Sequence, residues 1–130
     1  MRVTEHLHRS NHLDVYAAHC AHRGCPVVVK TPRPDRLTDR AVVRDLLREG
    51  RLLRRLAHPH IVRGYEVVAG PRPAIVLETV GGETLARLFA RHAPLPDPDV
   101  AELGRQLAAA IGYLHAEGYL HLDLKPSNVV

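Results

Sequence analysis

The run His121-Leu122-Asp123-Leu124-Lys125-Pro126-Ser127-Asn128-Val129-Val130 decides how the rest of the chain is read. Asp123, Lys125 and Asn128 sit at spacings of two and three residues, between a helical stretch and an apolar strand end. An aspartate accepts a hydroxyl proton, a lysine neutralises a phosphoryl group, and an asparagine carbonyl is a hard oxygen ligand for magnesium. Asp, Pro, Ser and Asn are also ordinary turn residues, so the alternative is a plain polar loop after a helix.

At 130 residues there is room for one domain, burying roughly two-thirds of its unfolded surface. Aromatic content is 4%, with no Trp, so the core is expected to be built from Leu, Val, Ile and Ala. No run reaches membrane-spanning length, and Met1-Arg2-Val3-Thr4-Glu5-His6 lacks the character of a signal peptide. Cys20 and Cys25 make no disulfide framework, which points to a reducing, cytoplasmic setting. The net charge of +4 raises the question of an acidic partner, but its make-up is more informative. Of the 18 Lys and Arg residues only Lys30 and Lys125 are lysines. Arg serves as well as Lys on a solvated surface, whereas Lys is a compact point charge with rotatable donors. The two places that keep Lys therefore need an explanation.

Alternation predicts strands at 3–8 and 13–19, a turn ending in Gly24, and a buried β-branched strand over 25–30. Thr31-Pro32-Arg33-Pro34-Asp35 reads as a breaker. Thr38 is expected to cap a helix that runs to about Ala57, with Pro59 ending it. Two further strands follow at 61–68 and 74–79, then a short helix over 84–92 capped by Thr84. Asp97-Pro98 opens a last helix that continues to Gly118, with Asp97 as its cap.

Val42, Leu46, Leu53 and Leu56 share one stripe of the first helix, and Glu49 falls within it. A carboxylate facing the core needs a cation, and Lys30 at the end of an apolar strand has the complementary need. Pairing solves both problems. Such a buried pair costs ~3–5 kcal/mol to break from one side, against ~0.2–1 kcal/mol for an exposed one. Rotation of Glu49 to solvent and snorkelling of Lys30 is the alternative.

These segments together resemble the protein kinase superfamily, serine/threonine class. The final run is similar to its His-Arg-Asp-Leu-Lys-Pro-x-Asn catalytic loop, with Leu122 in place of the arginine. Val27-Val28-Val29-Lys30 resembles the Val-Ala-x-Lys strand, and Glu49 lies where the family has its helix-C glutamate. Leu53, Leu56 and His58-Pro59-His60-Ile61-Val62 continue the match. Ile75 to Leu85 resembles the hinge, and Tyr113-Leu114-His115 with Gly118 the end of the helix before the catalytic loop. The resemblance implies an α+β fold: a kinase small lobe of five antiparallel strands plus helix C over 1–80, then the hinge and first helices of the large lobe over 81–130. It implies ATP and Mg2+ as cofactors and a protein Ser or Thr hydroxyl as acceptor. Lys30, held by Glu49, would orient the nucleotide phosphates. Asp123 would be the base, Lys125 would touch the transferred phosphate, and Asn128 would bind magnesium. Leu7, Val15 and Val28 would enclose the adenine, with Leu77 as gatekeeper. The Glu78 carbonyl and the Val80 amide would face its edge, and Thr84 would reach the ribose.

Three departures stand out. The glycine-rich loop positions fall on His8, Ser10 and Leu13, whose side chains hinder backbone approach to phosphates. Leu122 removes the arginine that pairs with an activation-loop phosphate in many kinases. The Asp-Phe-Gly segment lies beyond residue 130, so we expect a truncated domain, marginally stable by itself, short of catalytic competence and suited to complementation by a large lobe or partner chain. His19, Cys20, His22 and Cys25 match no usual zinc spacing. Arg40, Arg44, Arg48, Arg51 and Arg55 form a basic stripe without nearby aromatics, read as a solvated face; no nucleic acid is expected. Three functions are carried forward: a partial ATP-dependent protein serine/threonine kinase, a pseudokinase-like module that binds nucleotide or protein without catalysis, and more distantly a basic nucleic-acid-binding domain.

Overall fold

The first 80 residues form a single antiparallel sheet and one helix in the computed structural model, which describes residues 1–130. Its strands are β1 (Arg2–Arg9), β2 (Leu13–Cys20), β3 (Cys25–Pro32), β4 (Gly64–Val68) and β5 (Ala74–Glu78), in spatial order β1-β2-β3-β5-β4. Three helices complete the chain: α1 (Arg40–Arg55), α2 (Leu85–His92) and α3 (Asp97–Ala116). The chain divides into two units. Met1–Ala57 with Val62–Thr79 holds the sheet and α1; His58–Ile61 with Val80–Val130 holds α2 and α3.

In the sheet unit, the two-residue period of a strand sorts side chains onto two faces. Val27 and Val76 pack with Ala18 and Cys20 on one face, where Tyr65 also sits. Ile75 and Leu77 point the other way and meet Leu46 of α1, with Leu13, Val28 and Leu53 around them. Lys30 has the same parity as Val28, so its side chain leaves β3 on the face that α1 covers. The strand runs two residues past Lys30, into the first two residues of the expected breaker, because Thr31 and Pro32 still pair with Asp14 and Leu13. The Thr31 hydroxyl also donates to the Pro73 carbonyl at 2.9 Å.

Two boundaries differ from the sequence expectation. The expected strand at 61–68 begins only at Gly64. Ile61 lies in a turn, its N–H donating to the His58 carbonyl, while Val62 packs on the Leu46 cluster. Apolar character here marks burial and not pairing. The cap of α1 is Asp39, not Thr38: its Oδ1 accepts from the N–H groups of Ala41 and Val42 at 3.1 and 3.3 Å. A carboxylate there also complements the helix dipole. Asp39→Ala is expected to cost about 1 kcal/mol in chemical denaturation, and Thr38→Ala less than about 0.5. Equal losses at the two positions would show that the assignment is wrong.

In the helical unit, Thr84 caps α2 as expected, its Oγ1 accepting from Arg87 N–H. Asp97 is the first residue of α3, and Pro96 takes the cap position without a side-chain bond. At its other end, Gly118 adopts φ +82°, its N–H donating to the His115 carbonyl while Tyr119 N–H donates to that of Leu114. This pair of bonds is the Schellman closure, which needs a left-handed residue at the glycine. It turns the chain sharply out of α3 and into the run His121 to Val130.

Candidate functional site

Each unit carries its own part of the predicted constellation. In the sheet unit, Lys30 Nζ lies 2.9 Å from Glu49 Oε1, joining β3 to α1 across nineteen residues of sequence. The pair is not buried, contrary to expectation: the two side chains are 30% and 39% exposed. The reason is Gly50. An added Cβ there would lie 2.3 Å from Ile75 Cγ2, so the helix touches the sheet most closely at Gly50 and sets Glu49 to one side. Hydrophobic periodicity passes over a residue without a side chain. Half-exposed, the pair is worth ~0.2–1 kcal/mol and not the several kcal/mol of a buried one. Its significance is therefore positional, since it aims one of only two ammonium groups in the chain.

Around Lys30, Val15 is its direct cross-strand neighbour, and Val28 faces both Ala17 and Leu77. Leu77 is buried, whereas Leu7 and Val80 are exposed. The Glu78 side chain accepts from Arg63 N–H at 2.7 Å, and its own N–H donates to the Arg63 carbonyl at 3.0 Å. That double clamp fixes the end of β5. Thr84, expected at a ribose, has its oxygen on the α2 cap bond at 3.4 Å.

In the helical unit, Lys125 Nζ is 2.9 Å from Asp123 Oδ2. The Asn128 amide donates to the Asp123 carbonyl at 2.9 Å and to its Oδ2 at 3.2 Å. The short 3-10 turn Pro126–Asn128 makes this possible, and Val129 accepts from Leu85 N–H to fasten the loop beside α2. The hydrogen bond from Lys125, followed by its charge and the Asn128 amide, holds the Asp123 carboxyl below its ordinary range despite some desolvation. Asp123 is thus ionised at neutral pH. With its nitrogen bound to Asp123, Asn128 keeps Oδ1 outside these bonds, which suits an oxygen-seeking ion such as magnesium. Leu122 is a feature that spacing did not reveal: it is 89% exposed and holds φ +60°. A left-handed leucine costs roughly 1–2 kcal/mol, a strain found characteristically at functional turns.

This chain belongs to the protein kinase family: the family model for the protein kinase domain matches residues 5–130. Among curated proteins it is 37% identical over 115 residues to the serine/threonine-protein kinase PkaA of Streptomyces coelicolor, covering 88% of this chain and 21% of that protein. It is 36% identical over 126 residues to the putative CBL-interacting protein kinase 13 of Oryza sativa, covering 95% of this chain and 24% of that protein. The crystal structure of the Mycobacterium tuberculosis PknI kinase domain superposes with a TM-score of 0.79 at 27% identity, covering 97% of this chain and 51% of that one. The chain therefore spans about a quarter or less of these curated relatives and about half of a solved kinase domain. The fold is that of the kinase small lobe, α+β, with a five-stranded antiparallel sheet and the helix that supplies Glu49. No helix is long and apolar enough to cross a membrane.

Proposed function

We propose that this chain carries the nucleotide-handling half of an ATP-dependent protein serine/threonine kinase. The observation that carries the reading is the 2.9 Å contact between Lys30 and Glu49, because it joins the family's two diagnostic charges in a chain that otherwise uses arginine. Lys30 orients the phosphates of Mg·ATP, and Leu7, Val15, Val28 and Leu77 provide apolar surface for the adenine. The Glu78 carbonyl and Val80 amide supply polar groups for its edge, with Thr84 toward the ribose. Asp123 receives and orients the acceptor hydroxyl, Lys125 neutralises the transferred phosphoryl group, and Asn128 Oδ1 contributes to holding Mg2+. Magnesium, when bound, neutralises charge that develops between the phosphates. Lys125 beside Asp123 favours Ser or Thr over Tyr as acceptor, and the reaction takes place in the cytoplasm.

The second reading is a nucleotide-binding module without catalysis. It is favoured by the absence of glycine at His8, Ser10 and Leu13. Thermal shift separates binding from its absence. Mg·ATP is expected to raise the melting temperature of the wild type, and Lys30→Met to abolish the rise. Glu49→Gln is expected to weaken it about tenfold or more in apparent affinity, yet to change unfolding free energy by less than about 1 kcal/mol. A full response to Mg·ATP in Lys30→Met would remove the assignment.

A further inference from the structure

The turn between β1 and β2 stands where the family has its glycine-rich loop, and here it is closed upon itself. Ser10 N–H donates to the Leu13 carbonyl at 2.8 Å. Ser10 Oγ in return accepts from Leu13 N–H at 3.0 Å and, more weakly, from His12 N–H at 3.3 Å. Three of the amides that could point at phosphates are thus already bonded within the turn. Leu13 packs on the Leu46 cluster, so its side chain anchors the turn to the core.

Beneath the turn lies Asp14, with 0% of its surface exposed. Its carboxylate accepts from Arg9 Nε at 2.7 Å and Arg9 Nη2 at 3.1 Å, a two-point grip, and lies 3.1 Å from His6 Nε2. Arg9 and Asp14 are the paired residues at the mouth of the hairpin, so the grip closes the turn at its base. Arg9 and His6, both exposed, are the donors that shield this carboxylate, so the grip that satisfies Asp14 is the same contact that holds the turn closed at its base. The Val15–Lys30 pairing puts the end of the turn, Leu13, two residues from the strand position opposite the proposed phosphate-orienting lysine.

We propose that Asp14 is a positioning residue that locks this turn in a self-bonded conformation, so that the nucleotide's phosphates are held by side-chain cations, Lys30 foremost, and not by the turn's amides. The phosphate part of this proposal rests on the nucleotide-binding reading above; the locked turn does not.

Amide hydrogen exchange on the ligand-free protein tests the lock directly. The Ser10 and Leu13 amides are expected to exchange at least tenfold more slowly than in an unstructured peptide. Asp14→Asn is expected to bring both close to the peptide rate while Val27 and Val76 keep their protection. Arg9→Gln, at an exposed position, is a milder variant expected to move the same two amides in the same direction. Peptide-like exchange of both amides in the wild type would overturn the lock, as would a loss of protection spread evenly over the sheet in both variants.

Calorimetry with Mg·ATP and with adenosine then tests the phosphate claim. In Asp14→Asn the ratio of ATP to adenosine affinity is expected to hold or rise, with adenosine affinity within twofold of wild type; a merely structural role would lower both affinities together. A fall in the ratio of threefold or more, or new protection of the Ser10 and Leu13 amides when Mg·ATP binds the wild type, would overturn the proposal. Absence of binding by either ligand to the wild type would remove the nucleotide reading and the phosphate claim with it, while the exchange pattern would still decide the lock.

Discussion

Asp123→Asn is expected to lower phosphoryl transfer to a Ser- or Thr-containing protein by about 10²–10⁴-fold while leaving the thermal response to Mg·ATP intact. The substitution keeps the size of the side chain and an oxygen for Lys125 or Asn128, so the loop retains its shape. What it removes is the charge and the proton-accepting oxygen. Because Lys125 holds the Asp123 carboxyl below its ordinary range, the base is ionised at neutral pH. Its contribution to the acid limb of a pH–rate profile lies below that range: activity falls only as pH drops through the depressed value and the carboxylate takes up a proton. As the proposed base, Asp123 would orient the acceptor hydroxyl as well as take up its proton. Radiolabelled phosphate transfer, measured with the chain complemented by a kinase large lobe, provides the check. A variant that keeps its rate within threefold would take Asp123 out of the mechanism, whereas a wild type that binds nucleotide without transferring phosphate would favour the non-catalytic reading.

The second large effect concerns the contact that aims Glu49. Ile75→Ala is expected to destabilise the sheet unit by about 2–5 kcal/mol, since Ile75 is fully buried and its loss opens a cavity under α1. Gly50→Ala gains up to about 1 kcal/mol of helix propensity but places a methyl group 2.3 Å from Ile75 Cγ2 and 2.9 Å from Val67 Cγ2. Overpacking of this kind costs about 1–3 kcal/mol, so the clash wins. The double variant should be less destabilised than the sum of the two, by about 0.5–3 kcal/mol, because the new methyl group enters the space that Ile75 vacates. Urea unfolding of the four proteins measures this. Strict additivity would mean that α1 and β5 do not meet at Gly50.

Much of the fold was legible because its signals are local. Alternation marked β1 and β2, β-branched content marked β3, turn and cap residues bounded β4, β5 and α2, and helical spacing marked α1 and α3. The errors came from the same source. Ile61 and Val62 look like strand residues but are only half-buried outside the sheet, and Thr38 looks like a cap although Asp39 is better placed to reach the free N–H groups. Of the candidate site, the Lys30–Glu49 contact was legible in the sequence, and Asp123, Lys125 and Asn128 stood out by residue type and spacing. Asp14 was not. A lone aspartate in an alternating strand gives no sign of burial, and its partners Arg9 and His6 lie across a hairpin.

The amino-acid order alone thus determined the family and the succession of elements, and marked the charged residues proposed to handle a nucleotide, because each signal depends on neighbours along one strand, helix or loop. Tertiary structure decided that Glu49 flanks the contact instead of filling it, that Leu122 adopts a left-handed backbone, and that Asp14 closes the first turn. Those outcomes depend on how closely separate elements approach. A glycine without a side chain, or a carboxylate whose donors lie on another strand, has a role only when the second surface is in place.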